Sequence, residues 1–490
     1  MSRILSDILE NIKAEIIGNA EVEIKNIQFD SRKVELGDVF VATVGTNVDG
    51  HTFIEDVTAK GAAAIVCQEL PANTSDAVTY VKVANSQEAL GEMASNFFER
   101  PSEQMHLVGV TGTNGKTSIA TLLYNVFEAL GYKVGLFSTI KNIINGKEIE
   151  ATHTTPDAIQ INELINKMVE EGCEYAFMEV SSHSADQKRI AGLQFAGGIF
   201  TNLTRDHLDY HETFDAYLKA KKSFFDMLPK EAFALTNADD KNGMVMLQNT
   251  KAKKCTYGIK SIADYKGKIL ESHLDGMLMH IGNNEIWTKL IGKFNASNIL
   301  AVFGACSELD VPTEDILTQI SNLSTVEGRF EYLRSNDGVV AIIDYAHTPD
   351  ALQNVLETIQ QIRTENEQVI TVVGAGGNRD KGKRPLMAAK ATSMSDKVIL
   401  TSDNPRDEEP DAIIKDMFEG VPMEKRSKVL CLTDRKEAIK TACMLAQPND
   451  IILVAGKGHE DYQVIKGETI YFSDKAVIAE QFMLNNINLQ

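Results

Sequence analysis

One stretch decides the fold that this sequence predicts: Gly109-Val110-Thr111-Gly112-Thr113-Asn114-Gly115-Lys116-Thr117. An apolar run over 105–110 leads into it, and apolar residues at helical spacing follow it between Leu122 and Leu130. Glycines let successive backbone N–H groups point at one anion, and a helix N-terminus adds partial positive charge. The pattern therefore indicates a strand, a phosphate-binding loop and a helix, with Lys116 on the terminal phosphates and Thr117 on Mg²⁺. An ordinary strand-to-helix turn is the alternative, because Val110 stands where the full Walker spacing has a glycine.

Length and composition limit the class of protein. A chain of 490 residues predicts about three domains. Lys and Arg number 49 against 69 Asp and Glu, and the net charge of −20 argues against a nucleic-acid partner. The six cysteines form no C-x-x-C pair, which favours a reducing compartment over a disulfide framework or a zinc site. No signal-peptide or membrane-spanning pattern is present, so we expect a cytoplasmic protein with no membrane partner. We also expect a monomer, although no feature of the sequence determines the oligomeric state.

Residues 1–102 are predicted to form a first α/β domain. Strands are expected over 22–29 and 39–43, and a helix over 88–99. Two loops, 30–33 and 45–51, are rich in polar residues, and they either bind a polar ligand or are solvent-exposed turns. The segment Arg100-Pro101-Ser102 predicts the domain boundary.

The second domain, 103–332, alternates strands and helices. Strands are predicted over 105–110, 134–138, 175–180, 198–202 and 233–236, which implies a mostly parallel, doubly wound sheet that binds ligands at the carboxyl ends of its strands. Glu179, at such an end, suits Mg²⁺, although a capping carboxylate is the alternative. The His- and Asp-rich segment 205–211 could suggest zinc, but its spacing fits no standard zinc pattern. Asn298 could bind an adenine edge or cap a helix.

The third domain, 333–490, repeats the alternation. Strands are predicted over 339–344, 369–374, 398–402 and 451–455, and each runs into a polar loop. These loops are 344–350, 376–385, 403–406 and 456–460. Four loops at one edge of a sheet make a binding face of mixed charge that suits an anionic or zwitterionic ligand.

The chain resembles the Mur ligase family. The likeness lies, in order, in segments 112–117, 179–183, 205–211, Gly328-Arg329-Phe330-Glu331 and 344–350. It implies a three-domain α/β fold: an N-terminal UDP-binding domain, a central P-loop-type parallel-sheet ATPase domain and a C-terminal Rossmann-like domain that binds an amino acid. It also implies an ATP-dependent, amide-forming ligase of peptidoglycan precursor synthesis in the bacterial cytoplasm. Within the family the chain most resembles enzymes that extend UDP-N-acetylmuramoyl-L-alanyl-D-glutamate (UDP-MurNAc-L-Ala-D-Glu) through an acyl phosphate.

The added amino acid also follows from resemblance. The segment Asp403-Asn404-Pro405-Arg406 is similar to the motif of enzymes that add meso-2,6-diaminopimelate, whereas lysine-adding relatives lack the arginine. A guanidinium can clamp the distal carboxylate of diaminopimelate, and lysine has no such group. The implied amino-acid site comprises Arg379, Asp403, Asn404, Pro405, Arg406, Gly456 and Glu460, with Glu460 facing the distal ammonium. The alternatives are a lysine-adding ligase, a folylpolyglutamate synthetase-like ligase and a non-catalytic nucleotide-binding module.

The resemblance assigns the remaining roles residue by residue. ATP binding is implied for Gly112, Thr113, Asn114, Gly115, Lys116, Thr117, Asn298, Arg329 and Asp344. Catalysis is implied for Lys116, Glu179, His207 and Lys221, and Mg²⁺ binding for Thr117, Glu179, His207 and Lys221. The muramoyl-peptide substrate falls to Ser31, the loop 47–51, Thr154, Thr155, Ser181, Gln187 and Arg189.

Three further points concern individual residues of these regions. Lys221 aligns with a lysine that relatives carry as a carbamate, yet Lys219 and Lys222 look equally eligible from the sequence. Asn378 stands where many relatives have Asp, which could change how Arg379 is oriented. His347 is a candidate proton acceptor or a structural hydrogen-bonding residue.

Overall fold

The computed structural model describes residues 2–45, 48–151, 154–364 and 366–487. Three sheets, each flanked by helices, follow one another along the chain. Among the described helices, none combines the length and apolar character needed to cross a membrane. All six cysteines are free thiols, and five of them are buried.

The first sheet has the order β2-β7-β6-β5-β4, and β4 to β7 run parallel. Its core lies on both faces, since Val39 and Val41 belong to one apolar cluster and Phe40 to another. The strands are β1 Arg3–Ile4, β2 Ala14–Ile17, β3 Glu23–Ile24, β4 Ile27–Gln28, β5 Val39–Val41, β6 Ala64–Cys67 and β7 Thr79–Val83. The helices are α1 Leu5–Ile8, α2 Ile54–Ala59 and α3 Ser86–Phe97.

The prediction of a single strand over 22–29 was wrong. Two short strands, β3 and β4, take its place, because β3 pairs with β1 and β4 pairs with β5 in a different sheet. The helix predicted over 88–99 is confirmed, with its start at Ser86. The Asn85 side chain caps it by accepting from the amides of Gln87 and Glu88.

The second sheet has eleven strands among the described residues, in the order β11-β10-β9-β12-β8-β13-β14-β15-β16-β17-β18. The seven central strands of that order, β9-β12-β8-β13-β14-β15-β16, pair in parallel with one another, as predicted. The strands are β8 His106–Thr111, β9 Val134–Phe137, β10 Lys141–Ile144, β11 Lys147–Glu150, β12 Tyr175–Glu179, β13 Gly197–Phe200, β14 Phe233–Asn237, β15 Lys253–Gly258, β16 Tyr265–His273, β17 Gly276–Ile281 and β18 Asn284–Thr288. The helices are α4 Lys116–Ala129, α5 Ala158–Glu170, α6 Ser182–Asp186, α7 Leu208–His211, α8 Phe214–Asp226, α9 Gly243–Met246, α10 Lys293–Glu308 and α11 Thr313–Asn322.

Antiparallel strands at both edges of this sheet were not predicted. They comprise β10 and β11 at one edge and β17 and β18 at the other. Their exposed faces carry polar side chains, so they lack the continuous apolar runs that identify the buried central strands. At the centre, strand β8 sends Leu107 to one face and Val108 to the other, which places the phosphate loop over the middle of the sheet.

The third sheet has the order β19-β20-β24-β21-β22-β23, and all its strands except β19 run parallel. Because β19 begins at Glu331, this sheet starts ahead of the boundary predicted at 333. The strands are β19 Glu331–Arg334, β20 Val340–Asp344, β21 Val369–Ala375, β22 Lys397–Ser402, β23 Val429–Leu432 and β24 Ile451–Ala455, with a separate hairpin of β25 Tyr462–Ile465 and β26 Glu468–Tyr471. The helices are α12 Pro349–Ile362, α13 Lys383–Met394, α14 Pro410–Phe418, α15 Arg435–Leu445 and α16 Asp474–Ile487.

Candidate active site

The stretch 109–117 adopts the predicted strand, loop and helix, since β8 ends at Thr111 and α4 begins at Lys116. Gly112 and Gly115 have φ angles of 149° and 93°, which L side chains rarely adopt. A Cβ on Gly112 would also lie 1.8 Å from the hydroxyl of Thr201. The loop is held from the neighbouring strand β13, because the amide of Asn114 donates to the side-chain carbonyl of Asn202 at 2.9 Å.

Two lysine amines converge on one carbonyl of this loop. Lys116 Nζ donates to the carbonyls of Gly112 at 3.0 Å and Thr113 at 2.9 Å. Lys221 Nζ, from helix α8, donates to the same Gly112 carbonyl at 2.7 Å. Burial lowers the pKa of both amines, and the charge of Lys116 lowers that of Lys221 further. Lys221 is therefore the amine that most readily becomes neutral.

The structure separates Lys221 from its neighbours on α8. Lys221 is 1% exposed, with its ammonium 4.9 Å from the centre of the Tyr217 ring. Lys219 is exposed and pairs with Asp215 at 2.7 Å, and Lys222 pairs with Asp226 at 2.6 Å. Of the three lysines that the sequence could not distinguish, only Lys221 faces the phosphate loop.

Glu179 ends strand β12, which pairs in parallel with β8 beside the phosphate loop. It is fully buried, and its carboxylate accepts from the amide of Thr139 at 2.6 Å and from the hydroxyl of Thr139 at 3.2 Å. Both hydrogen bonds come from neutral groups of one residue. Mg²⁺ is commonly bound by one or two carboxylates together with phosphate oxygens. Glu179 lies where such a carboxylate would be needed, beside the phosphate loop.

The His-rich segment forms a cluster of rings rather than a metal cage. The rings of His183 and His207 lie 4.9 Å apart, and His211 hydrogen-bonds to the hydroxyl of Ser182 at 2.9 Å. Burial lowers the pKa of His207 to about 3, although the nearby Asp206 carboxylate opposes the shift. Within the described parts of the chain, no group of three or more His, Cys, Asp or Glu could hold a metal ion. Among those residues, the structure offers no three-ligand set for the zinc alternative.

A cavity of about 600 Å³ lies between the second and third sheets. Its wall includes residues of both domains, and the phosphate loop joins them directly: the side-chain amide of Asn114 donates to the Asp350 carboxylate at 3.2 Å. Sixteen of the predicted site residues line it: Thr113, Asn114, Gly115, Lys116, Thr117, Thr154, Thr155, Glu179, Ser181, Arg189, His207, Lys221, Asn298, Arg329, Asp344 and Arg379. Gly112 contributes its carbonyl from just outside the wall.

Arg329 connects the nucleotide residues. Its guanidinium donates to the hydroxyl of Thr117 at 3.1 Å and stacks over the ring of Tyr345 at 4.3 Å. Burial raises the pKa of the adjoining Asp344 to about 6, although the charge of Arg329 opposes the shift. Asn298 donates to the side chain of Asn295 at 3.2 Å and lines the cavity, so it is not a helix cap.

His347 also lines this cavity. Its Nδ1 lies 2.8 Å from the carbonyl of Tyr345, an acceptor, so Nδ1 carries the proton and Nε2 can accept one. Burial lowers the pKa of His347 to about 4. The ring is therefore neutral near pH 7. The sequence left two roles open for His347, and the ring fits both, because Nδ1 makes a structural hydrogen bond and Nε2 can accept a proton.

The residues predicted for the muramoyl peptide are divided between two regions. Thr155 donates to the carbonyl of Glu179 at 2.8 Å, and Arg189 donates to the carbonyl of Thr155 at 2.9 Å, so this group adjoins the metal-site candidates. Gln187 lies outside the cavity wall but holds Arg189 through contacts of 3.0 and 2.6 Å. Ser31 lies apart in the first domain, where its carbonyl accepts from Lys60. Asn47, in the predicted loop 47–51, is outside the described residues.

The predicted amino-acid residues meet at the carboxyl ends of β21, β22 and β24. Asn404 donates to Glu460 at 2.8 Å, and the buried Lys457 ammonium contacts Asn404 at 3.2 Å and Glu460 at 2.9 Å. Arg406 donates to the carbonyl of Gly377 at 2.8 Å. A Cβ on Gly456 would lie 2.6 Å from the Asp403 carboxylate, so only glycine fits there.

Most of the predicted amino-acid residues lie outside the wall of the large cavity. Of the predicted amino-acid residues, Arg379 lines that cavity, whereas Asp403, Asn404, Pro405, Arg406, Gly456 and Glu460 do not. The Asn378 side chain donates to Asp407 at 2.7 Å, and the Arg379 guanidinium donates to the backbone carbonyl of Asn378 at 3.4 Å. Arg379 therefore contacts residue 378 through its backbone and not through its side chain.

Sequence reasoning missed several residues that shape this site. Thr139 binds Glu179, and Tyr345 joins the two ligand regions by stacking on Arg329 while its hydroxyl lies 3.3 Å from Glu460. Lys457 lies in the polar loop 456–460, and its position in that loop was the available signal. The contacts of Thr139 link elements far apart in the chain and have no sequence signature.

Models of known protein families match most of the chain. The model described as Mur ligase family, catalytic domain, matches residues 23–98, and the Mur ligase middle domain matches 110–306. The model described as Mur ligase, glutamate ligase domain, matches residues 328–458.

Two relatives illustrate the similarity at full length. A Bacteroides fragilis protein named UDP-N-acetylmuramoyl-L-alanyl-D-glutamate--2,6-diaminopimelate ligase is 58% identical over 481 residues, covering 98% of this chain and 99% of that protein. A Clostridium tetani protein of the same name is 41% identical over 485 residues, covering 97% and 98%.

Solved structures show the same architecture. A structure titled as UDP-N-acetylmuramoyl-L-alanyl-D-glutamate--2,6-diaminopimelate ligase has a TM-score of 0.71 and 31% identity, and covers 99% of this chain and 100% of that one. A folylpolyglutamate synthase of Mycobacterium tuberculosis has a TM-score of 0.60 and 15% identity, and covers 74% of this chain and 91% of its own. The latter likeness is one of fold alone.

Proposed function

The chain belongs to the Mur ligase family, and on that premise we propose that it is an ATP-dependent ligase that joins meso-2,6-diaminopimelate to UDP-MurNAc-L-Ala-D-Glu in peptidoglycan precursor synthesis. The observation that carries the proposal is the pairing of a phosphate loop with the Asp403–Arg406 loop in a chain 58% identical to a relative of that name. ATP is the energy source, and the two other substrates are small molecules.

The proposed reaction has two steps. The γ-carboxylate of the D-glutamate attacks the γ-phosphorus of ATP, which gives an acyl phosphate and ADP. The amine of diaminopimelate then attacks the acyl carbon, an amide bond forms, and inorganic phosphate leaves. A carboxylate is a poor acyl donor because oxide would have to leave, and phosphorylation supplies a better leaving group. The protein must bring a triphosphate and a carboxylate together, so its main tasks are positioning and charge neutralisation.

The lysines and arginine of the cavity supply that neutralisation. Lys116 is held on its own loop by two carbonyls, and we propose that it transfers to the terminal phosphates when ATP enters. Arg329, now on the hydroxyl of Thr117, lies next to the same position. Arg189 and Thr155 are proposed to hold the muramoyl peptide beside them. His347, with Nε2 available as an acceptor, is proposed to accept the proton that the incoming ammonium must lose, although the burial that lowers its pKa opposes this transfer.

Mg²⁺ fits the residues at this site. Thr117, Glu179 and His207 would hold it together with Lys221 in its carbamate form, and the buried Glu179 carboxylate with neutral partners supports this. When bound, Mg²⁺ supplies positive charge to the phosphate oxygens.

Carbamylation of Lys221 is proposed on physical grounds. A neutral amine attacks CO₂ and releases a proton, which converts a cationic side chain into an anion. Burial and the neighbouring Lys116 favour the neutral amine of Lys221. The product would place a carboxylate beside Lys116 and so balance two buried amines that now share one carbonyl.

We further propose a bacterial cytoplasmic monomer without nucleic-acid or membrane partners, on the basis of its acidic composition. Its domains are proposed to span 1–102, 103–330 and 331–490, with the second boundary placed ahead of β19.

The acceptor-dependence assay tests the function. Purified protein, ATP and UDP-MurNAc-L-Ala-D-Glu are incubated with diaminopimelate, with lysine or with no amino acid, and phosphate release and product mass are measured. We expect rapid release and a tripeptide product with diaminopimelate alone. Incorporation of lysine but not diaminopimelate would support the lysine-adding alternative, and phosphate release without any acceptor would support a simple nucleotide hydrolase.

The Arg406→Ala variant tests the amino-acid assignment. Because Arg406 is proposed to clamp the distal carboxylate, its loss should raise the KM for diaminopimelate by about a hundredfold and leave ATP affinity unchanged. Steady-state kinetics with each substrate varied in turn measure both effects. Arg426→Ala, an exposed arginine that stacks on Phe418 in the same domain, is the matched control. An unchanged KM for diaminopimelate in Arg406→Ala would show that the clamp is misassigned.

A further inference from the structure

Arg435 and Asp474 form a fully buried ion pair behind the amino-acid loops. Arg435 is 1% exposed and Asp474 is 0% exposed. Two N–H groups of the guanidinium, on Nε and Nη2, donate to the two carboxylate oxygens at 2.8 and 2.7 Å. The two residues begin helices α15 and α16, and they are 39 positions apart in the sequence.

The same guanidinium holds the last carbonyls of two strands. Nη1 donates to the carbonyl of Ser402 at 3.3 Å, and Nη2 donates to the carbonyl of Ala455 at 3.1 Å. Ser402 immediately precedes Asp403, and Ala455 immediately precedes Gly456, so each bond lies at the root of a loop proposed to bind the amino acid.

These two strands are not neighbours in the sheet. Strand β21 lies between β22 and β24, so one guanidinium holds the ends of two strands that do not pair with each other. Arginine has five N–H groups in a rigid planar fork, and four of its bonds are used here in different directions. A lysine has donors on one nitrogen and could not hold both carbonyls and the carboxylate together.

The loops that Arg435 holds also depend on each other. The Asp403 carboxylate lies against Gly456. Lys457 of the second loop donates to the Asn404 side chain of the first at 3.2 Å, and Asn404 donates to Glu460 of the second at 2.8 Å. Burial raises the pKa of Asp403, but the charges of Arg435 and Lys457 outweigh it and hold that pKa below its ordinary value. A shift of one loop relative to the other would therefore separate the groups proposed to contact one ligand.

Apolar packing also holds these helices on the sheet. Apolar residues of α15 and α16, among them Ile439 and Ile478, pack with Ile343 and Ile452 of the strands in one core cluster. Buried ion pairs contribute little net stability, because the cost of removing both charges from water offsets their attraction. Misplacing a bound group by about 1 Å, in contrast, can cost a hundredfold in rate.

We propose that Arg435, fixed by Asp474, is a positioning residue that sets the distance between the 403–406 and 456–460 loops and thereby determines the affinity for the amino-acid substrate. This inference rests on the proposed function of those loops. Arg435 is buried behind them and acts through the backbone carbonyls of Ser402 and Ala455.

Full-length Arg435→Lys tests the proposal by steady-state kinetics. We expect its KM for the amino acid to rise about 10- to 100-fold, as for loss of buried hydrogen bonds, with the KM for ATP and for the muramoyl peptide within about twofold. The double variant Arg435→Gln/Asp474→Asn removes both charges, and it gives the same readout if Arg435→Lys does not fold. Arg363→Lys is the matched control, because Arg363 pairs with Asp396 at 3.1 Å beside the starts of β21 and β22.

The outcomes separate this inference from the proposed function. The KM is measured for whichever amino acid the unaltered enzyme incorporates, so an unexpected acceptor changes the proposed function and not this test. An unchanged amino-acid KM in either folded variant would overturn the positioning role. An equal rise in the KM of all three substrates, or loss of folding in both variants, would assign the pair to stability alone.

Discussion

Replacing Lys116 with methionine is expected to lower kcat for ligation by about 10²- to 10³-fold, the usual cost of removing one group that stabilises developing charge. Lys116 is the only lysine on helix α4, and it lies at the point where the phosphate loop meets that helix. Methionine keeps most of the length and apolar volume of the stem but supplies no charge to the terminal phosphates. Phosphate release in the acceptor-dependent assay measures the loss.

The folded state of this variant should be as stable as that of the unaltered protein, or more stable. Burial lowers the pKa of Lys116, which means that the folded protein disfavours its charged form. Methionine removes that cost. Thermal unfolding checks this expectation, and Lys167→Met, which alters a surface lysine paired with Glu163, is the matched control. A large fall in the unfolding temperature of Lys116→Met would mean that lost activity reflects lost structure.

Much of the site could be predicted because its signals are local. The loop 112–117, Glu179 at the end of β12 and the polar loops after four parallel strands each combine an apolar run with the polar residues that follow it. Parallel strands bring such loops to one edge, so the sequence order alone placed them together. The motifs that carry the family likeness lie in these same loops.

The rest could not be predicted because it depends on contacts between distant residues. Lys219, Lys221 and Lys222 look alike in the sequence, and only the packing of α8 against the phosphate loop turns Lys221 inward. The Arg435–Asp474 pair depends on two helix starts that meet behind the sheet. The edge strands of the second sheet were missed because their faces are partly polar, and the strand over 22–29 was mispredicted because its halves pair in different sheets.

Replacing Lys221 with alanine is expected to lower ligation by about 10³-fold, because it removes the carboxylate that the proposed carbamate would supply to the metal. Alanine also leaves a space beside the Gly112 carbonyl, which now accepts from Lys221 at 2.7 Å. A small carboxylate such as formate or acetate can occupy that space and restore the missing charge. We therefore expect millimolar acetate to recover part of the activity of Lys221→Ala and to leave the unaltered enzyme unaffected.

Three comparisons make the Lys221 result specific. Lys219→Ala removes an exposed amine, and Lys222→Ala removes an amine that pairs with Asp226 on the same helix. Both variants should retain activity within about twofold, because neither amine faces the phosphate loop. Lys221→Arg fills the space with a permanent cation, so acetate should not rescue it. Mass spectrometry cannot easily retain a labile carbamate, whereas ¹³C NMR of protein equilibrated with ¹³CO₂ can observe it directly. Rescue by acetate with no carbamate signal would mean that a carboxylate is needed but is not made from Lys221. Equal activity with and without acetate would remove Lys221 from the metal site altogether, and Glu179 would then be the carboxylate on which the phosphate chemistry depends.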